Sequence, residues 1–293
     1  MDNQDRNNDK EDRLRNERRG RSENWHKDQG SRDRPQRPER PAKRRFKKPK
    51  LEPVEVNPNP RLNKYVANSG ISSRRKADEY ISEGLVMVND EVILAMGYRV
   101  QPGDVVKFKG EVIEPETRKV YILINKPKNT ITTATDPHGR MTVLDLVKDA
   151  CEERVYPVGR LDRYTTGLLL LTNDGDIAKK LSHPSYNVKK IYHVTLEKDV
   201  TPAHLEEISS GLDLEDGFAE VDAASYANNK RNEVGIELHI GKNRIVRRIF
   251  AHLGYEVLRL DRVYYAGLTK KDIPRGMYRF LTPQEVLMLK HFT

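Results

Sequence analysis

Three groups of side chains in this 293-residue chain have the types and spacing to do chemistry. The first lies in Tyr156 to Gly175, YPVGRLDRYTTGLLLLTNDG. There a strand is expected to end at Gly159, an Arg-Leu-Asp-Arg loop follows, Thr165-Thr166-Gly167 turns the chain, and an apolar strand leaves. This layout holds Asp162 between Arg160 and Arg163 at the mouth of a sheet, where cationic neighbours keep a carboxylate ionised. Such a group can be a nucleophile, a base or only a partner in an ion pair, and residue types alone favour the ion pair. The second group is KNRIVRRIFAHLG (residues 242–254), whose Ile245, Val246, Ile249, Phe250 and Leu253 fall on one face of a helix and Arg244, Arg247 and Arg248 on the other. A guanidinium row of this kind solvates itself, binds RNA phosphate or pairs with a carboxylate inside a cleft. The third is a helix capped by Ser72 or Ser73 that opens with Arg74, Arg75 and Lys76. Each cation is unfavourable by roughly 0.3–1 kcal/mol where the helix macrodipole is positive. A phosphate held among them and the free amides reverses that sign, and Asn89, Lys107 and Lys109 extend the patch; the alternative is a solvated basic face.

The motifs that are missing narrow the chemistry. No GxxxxGK[ST] loop, GxGxxG after a strand, HExxH or GxSxG occurs, so nucleotide hydrolysis, dinucleotide redox chemistry and zinc proteolysis lose support. His138, His183, His193, His239 and His252 share no metal-ligand spacing, and the one cysteine, Cys151, excludes an internal disulfide framework. Neither metal nor cofactor is expected. Residues 1–50 hold 18 Lys and Arg against 10 Asp and Glu with five apolar residues, a composition that cannot build a core. Removing their charge of +8 from the total of +9 leaves +1 for the remainder, so the basic character belongs to the tail. The AKRRFKKPK stretch (Ala42 to Lys50) reads either as a nucleic-acid arm or as a nuclear localisation signal. No apolar run is long enough to span a bilayer, and a cytoplasmic protein with no membrane contact is expected.

The elements that must position these groups form two units. A disordered basic tail is expected over residues 1–60. Helical spacing of Leu62, Tyr65 and Val66 before Gly70, the helix carrying Ala77, Tyr80 and Ile81, and the short runs LVMV, EVI and VVKF make a small helix-and-strand unit over 61–108. Polar KGEVIEPETRK (109–119) suits a linker. Residues 120–293 then supply the strand-like runs VYILIN, VYPV, LLLLT, IYHVTL, VGIELHI and YEVLRL, with helices opened by Thr201-Pro202 and Thr282-Pro283. The fold class is α+β around a mixed, largely antiparallel sheet.

GRLDRYTTGLLLLTNDG (Gly159 to Gly175), KKIYHVTL (Lys189 to Leu196) and GKNRIVRRIFAHLGYEVLRLDRVYYAGL (Gly241 to Leu268) resemble, in order, the motifs of the RsuA/RluB family of pseudouridine synthases. RLNKYVANSGISSRRKADEYISEGLVMVND (Arg61 to Asp90) resembles the S-four-type RNA-binding domain that those enzymes carry. The resemblance covers Arg61 to the C-terminus. It implies a cofactor-free isomerase that converts a uridine of ribosomal RNA to pseudouridine, acting on a large-subunit hairpin or an assembling subunit; a monomer is expected. It further implies that Asp162 does the chemistry, that Tyr192 stacks on the target base and that Arg247 pairs with Asp162. Arg160 and Arg140 fall on the substrate side; the loop TDPHGRMTV (Thr135 to Val143) resembles a family loop near the RNA, which implies that its Arg140 helps displace the base. Ser72, Arg74, Arg75, Lys76, Arg244 and Arg248 are the RNA-binding candidates. Two rivals stand beside this reading: an RNA-binding protein without catalysis, and the same chemistry on small-subunit or transfer RNA.

Overall fold

The computed structural model describes residues 59–291. The tail expected over residues 1–60 lies outside the described residues except for its last two positions.

Helices α1 (Leu62–Asn68) and α2 (Arg74–Ser82) pack on a small antiparallel sheet of β1 (Val86–Val88), β2 (Glu91–Val92), β3 (Val106–Phe108) and β4 (Glu111–Val112), in the order β2-β1-β3-β4. Leu62, Val66, Ala77, Ile81, Val86, Val88, Val100 and Val106 form its core. Ser73 caps α2, its Oγ accepting from the Lys76 amide at 3.3 Å. Asn89 and Asp90, at φ 51° and 68°, make the tight turn between β1 and β2, a conformation that Asn and Asp tolerate better than most residues. That turn also uses the Asn89 side chain, which donates to Asp104 at 2.8 Å and accepts from the Val105 amide at 3.0 Å. Lys107 is 2.5 Å from Asp90. Neither residue therefore extends a free basic patch. Strand β4 carries the small sheet into the segment expected as a linker, because a two-residue edge strand is too short to show any alternation.

The larger sheet has the order β11-β12-β8-β13-β7-β5-β15, with β6 beside β7 and β14 beside β13. Its members are β5 (Tyr121–Lys126), β6 (Tyr156–Pro157), β7 (Thr166–Thr172), β8 (Lys190–Leu196), β11 (Ala223–Ala227), β12 (Lys230–Leu238), β13 (Val257–Tyr265), β14 (Leu268–Thr269) and β15 (Tyr278–Phe280). A separate hairpin is formed by β9 (Leu212–Leu214) and β10 (Gly217–Ala219). Helices α3 (Gly175–Ser182), α4 (Pro202–Ser210), α5 (Ile245–His252) and α6 (Pro283–Lys290) cover the faces. The uninterrupted LLLL of β7 follows from burial on both sides. Leu168 and Leu170 pack towards α3 and α6, while Leu169 and Leu171 pack with Val143, Val147 and Leu161. Asp174 caps α3 and also accepts from the buried Tyr121 hydroxyl at 2.6 Å.

Every pairing in this sheet is antiparallel except that of β13 with β7, whose register joins Asp261 to Thr166 and Arg262 to Gly167. Two antiparallel halves thus meet at one parallel seam. Gly167 has φ +108°, and a Cβ there would overlap the Arg262 backbone, so the approach of β13 demands glycine. Beside it, Thr166 Oγ1 donates to Asp261 at 3.0 Å. Arg275 grips the same carboxylate with two bonds of 3.0 Å and Lys270 adds a third contact. Burial pushes the Asp261 carboxyl up, but the bonds from Arg275 and Lys270 outweigh it and hold the group below its ordinary value.

Gly167→Ala is therefore expected to destabilise the protein by about 3 kcal/mol or more, combining left-side backbone strain with a backbone overlap that no rotamer relieves. Urea unfolding monitored by circular dichroism checks this, and an unchanged midpoint would contradict the seam as described.

Candidate active site

A cleft of about 300 Å³ opens at the seam, bordered by the loop before β7, by β8 and β13, and by residues 239–246 leading into α5. Asp162 and Arg160 line it from the loop, Lys190 and Tyr192 from β8, and Arg262 and Tyr265 from β13.

The loop is tied down from below. Thr165 N donates to Asp162 O at 3.0 Å, closing a turn whose tip, Arg163 and Tyr164, points outwards. Thr132 Oγ1 bonds both the carbonyl and the amide of Leu161. Lys126, fully buried at the end of β5, donates to the carbonyls of Pro127 (3.1 Å), Asp162 (3.1 Å), Arg163 (3.4 Å) and Thr165 (2.8 Å). Burial pushes its ammonium down to about 8; the Asp162 charge works against that shift and Arg275 works with it. At neutral pH the ammonium remains protonated and holds three carbonyls of the loop, those of Asp162, Arg163 and Thr165, against the end of β5.

The Asp162 carboxylate is half-buried and makes no hydrogen bond or ion pair with any described residue. The expected sandwich between two arginines is not formed: Arg160 is exposed on the cleft wall and Arg163 stacks on Tyr164, 5.4 Å from its ring centroid. The i to i+3 turn causes this by directing successive side chains apart. The implied ion pair with Arg247 is not closed either. Arg247 Nη1 donates to the Val257 carbonyl at 2.9 Å, pinning the start of β13 to α5. Burial and the neighbouring Arg244 lower its pKa, while the field of Asp162 raises it, so the two groups sense each other without touching. Asp162 is thereby left available to a ligand in the cleft.

The other candidates divide. Tyr192, half-buried on β8, lines the cleft. Arg244 also lines it, is exposed, and adopts a left-handed conformation (φ 46°) just before α5, which starts at Ile245 rather than at Lys242. Arg248 is committed elsewhere, gripping Asp216 with both terminal nitrogens and so holding the β9–β10 hairpin. Lys242 secures the same hairpin through the carbonyls of Asp216, Gly217 and Phe218. Arg140 is exposed but not in the cleft lining; it forms a fork with Asp136 inside its own loop, and the hydrogen bond to Arg140 draws the Asp136 carboxyl down to about 2. In the small domain Arg74 and Arg75 are exposed, whereas Lys76 is 2.5 Å from Glu79 and lies over Tyr80. Ser72 is buried with its hydroxyl donated to the Ser73 carbonyl, which removes it from an RNA-facing role.

Four residues at or under the cleft were not singled out by motif: Lys126, Lys190, His239 and Arg262. Lys126 carried a readable signal, a lysine closing a mostly apolar strand just before a proline. Lys190, bonded to the Val188 and His239 carbonyls, and His239, 2.6 Å from Asp222, carried none.

Residues 120–252 match the family model described as RNA pseudouridylate synthase, and residues 60–106 match that of the S4 domain. The chain is 42% identical over 235 residues to ribosomal large subunit pseudouridine synthase B of Bacillus subtilis (strain 168), a match covering 78% of this chain and 95% of that protein. It is 38% identical over 232 residues to dual-specificity RNA pseudouridine synthase RluF of Escherichia coli (strain K12), covering 78% of each. A solved structure described as pseudouridylate synthase superposes with a TM-score of 0.56 at 26% identity, over 78% of this chain and 99% of that one. Two antiparallel half-sheets around a cleft with one unpaired carboxylate, preceded by a small RNA-binding module, are thus accounted for together: the chain belongs to the RsuA/RluB-type pseudouridine synthases, intramolecular isomerases acting on uridine in RNA.

Proposed function

We propose that this enzyme isomerises a uridine in a hairpin of large-subunit ribosomal RNA, with Asp162 as the residue that does the chemistry and Tyr192 as the platform on which the flipped base stacks. The observation that carries the assignment of Asp162 is its carboxylate: it lines the cleft without a partner of its own, while the loop that bears it is clamped by Lys126. A base inside a stem cannot turn over, so the nucleotide must be flipped or taken from a loop, and an aromatic ring offers it a sequence-tolerant surface. Arg160 and Arg244, exposed on the cleft walls, suit phosphates flanking the target. Arg74 and Arg75 suit a more distant stretch of RNA, recognised through backbone and shape because the A-form major groove is too narrow to read. The large-subunit target is supported by the Bacillus subtilis relative, named for that subunit. A second reading, the same chemistry on more than one RNA, is favoured by the Escherichia coli relative named for dual specificity.

Asp162→Asn is expected to lower isomerisation by at least about 10³-fold with RNA affinity within about twofold, because the amide is nearly isosteric but is neither nucleophile nor base. Release of tritium from carbon 5 of labelled uridine is the measurement, and near wild-type release would refute the assignment. Mapping pseudouridine in both ribosomal subunits and in transfer RNA of a deletion strain identifies the target.

Lys126→Met should reduce kcat by roughly 10–100-fold with little change in affinity, since it frees a loop whose placement matters at the ångström level. Wild-type activity should also decline as the pH rises through about 8, where the clamp loses its proton, and the variant should lack that limb. A variant profile that keeps the limb would exclude Lys126 as its source.

Changing Arg74 and Arg75 to Ala should reduce the slope of log affinity against log salt by about 1.4–1.8, two phosphate contacts at roughly 0.7–0.9 each, with kcat at saturating RNA retained. Adding Lys76→Ala should change the slope little, because Lys76 is engaged with Glu79. An unchanged slope in the double variant would restore the solvated-face reading.

A further inference from the structure

Arg262 is 3% exposed, yet it lines the cleft. Its Nε donates to the Leu168 carbonyl at 2.8 Å, and its guanidinium lies over Tyr265 with Cζ 4.4 Å from the ring centroid, so the plane is fixed on two sides. Neither terminal nitrogen hydrogen-bonds a described residue, and Nη2 is buried in that state. A desolvated cation with idle donors is costly, and such groups are rare unless something else completes them.

No carboxylate hydrogen-bonds Arg262: Asp162, the one carboxylate lining the cleft, makes no bond to it. The adjoining Asp261 is taken by Arg275, Lys270 and Thr166. Lys190 adds a second positive charge, its ammonium pushed down to about 8 by burial and, next, by Arg262 itself. Asp162 is one negative charge against the several cations of the lining, so the floor beside Arg262 and Lys190 carries an excess of positive charge that fits an occupant carrying or acquiring negative charge.

Its position selects the occupant. Arg262 and Tyr192 are register partners across the antiparallel β13–β8 pair and so stand side by side on one face of the sheet. With a uracil stacked on Tyr192, the guanidinium lies at the edge of the ring. Phosphodiesters, which must stay connected to the rest of the RNA, suit the exposed Arg160 and Arg244 better than a residue this deeply buried.

We propose that Arg262 donates hydrogen bonds to the carbonyl oxygens of the target uracil and holds the negative charge that the base acquires when it leaves the sugar. Breaking the N1–C1′ bond leaves its electron pair on the ring, spread over N1, O2 and O4. A pair from the ring then forms the C5–C1′ bond, C5 releases its proton to solvent and N1 takes one up, so atoms and electrons balance without a co-reactant. Donors at O2 or O4 bind more tightly as that charge develops, which lowers the barrier rather than improving ground-state binding. This inference rests on the proposed roles of Asp162 and Tyr192.

The test uses the full chain and ribosomal RNA carrying tritium at carbon 5 of uridine, from a strain lacking the enzyme. Arg262→Gln should lower kcat by about 10²–10³-fold, as removal of one preorganised donor to a developing oxyanion does. Its RNA affinity should stay within about twofold and its salt slope should not move. Arg262→Lys keeps the buried charge but loses the two-pronged geometry; it should lose at least about tenfold in kcat at unchanged affinity, and it decides the matter should Arg262→Gln fail to fold. Weakened affinity with a shallower salt slope and a retained kcat would make Arg262 a phosphate contact and overturn the proposal, as would wild-type kcat in the folded Lys variant. Asp162→Asn measured in parallel separates the two levels. Turnover by Asp162→Asn refutes the underlying reading, whereas an inactive Asp162→Asn beside fully active Arg262 variants refutes this inference alone.

Discussion

The parallel contact between β7 and β13 is the constraint on which the rest of the molecule depends. One antiparallel half-sheet packs with α4 and α5, while the core under α3 and α6 draws on β5 and β7 and also on Tyr265 and Leu268 from across the seam. The two half-sheets are joined where β13 runs against Gly167 without room for a side chain, and where Thr166, Arg275 and Lys270 converge on Asp261. The loop bearing Asp162 ends at this seam, and Arg262 leaves β13 from it, so both sides of the cleft are set by one close approach of two backbones. A shift of β13 along β7 would displace the carboxylate from the floor of the cleft and also expose the Asp261 network.

Charge in the cleft is arranged in depth. Asp162 is the sole carboxylate among its lining residues, against Arg160, Lys190, Lys242, Arg244 and Arg262. The exposed arginines at the walls suit a polyanion that must come and go, because such contacts are screened and individually weak. Lys126 beneath the loop, the half-buried Lys190 and Arg262 are different. Desolvation makes their charge expensive and therefore strong, which is appropriate to holding a loop or a transient anion. Several basic residues that look equivalent in a linear reading are spent on architecture instead, Arg248 and Lys242 on the β9–β10 hairpin and Arg247 on the Val257 carbonyl.

The segment from Gly159 to Gly175 shows how a motif can be legible as a unit while its residues do different work. Asp162 and Arg160 face the cleft without a partner among the described residues. Thr166 and Gly167 make the seam, the four leucines fill two cores, Asn173 bonds the Val120 amide and the Arg118 carbonyl, and Asp174 caps a helix. The elements were readable for the same local reasons. Caps at Ser73, Thr201 and Thr282, the Asn89-Asp90 turn and the alternation in β12 are set within a few residues of chain. The β4 edge strand and the late start of α5 were not readable, because two residues carry no period and because Arg244 takes a left-handed conformation that its type does not announce.

The sequence by itself determined the α+β class, the family, most of the longer strands and the helices with readable caps, and it singled out the one aspartate in the Gly-Arg-Leu-Asp loop, since propensity, caps and motif spacing are local properties. Only the tertiary structure decided which charged groups are free. Whether an arginine is a ligand donor or a brace depends on which carbonyl or carboxylate, often tens of residues away, has already claimed its hydrogen bonds. Arg247 and Arg248 proved to be braced, Asp162 proved to be unpartnered, and Arg262, in no way distinct in a run of RLDRVYY, proved to be a buried cation whose two terminal nitrogens hydrogen-bond no described residue, because burial and hydrogen-bond satisfaction are set by strands that meet only when the sheet closes.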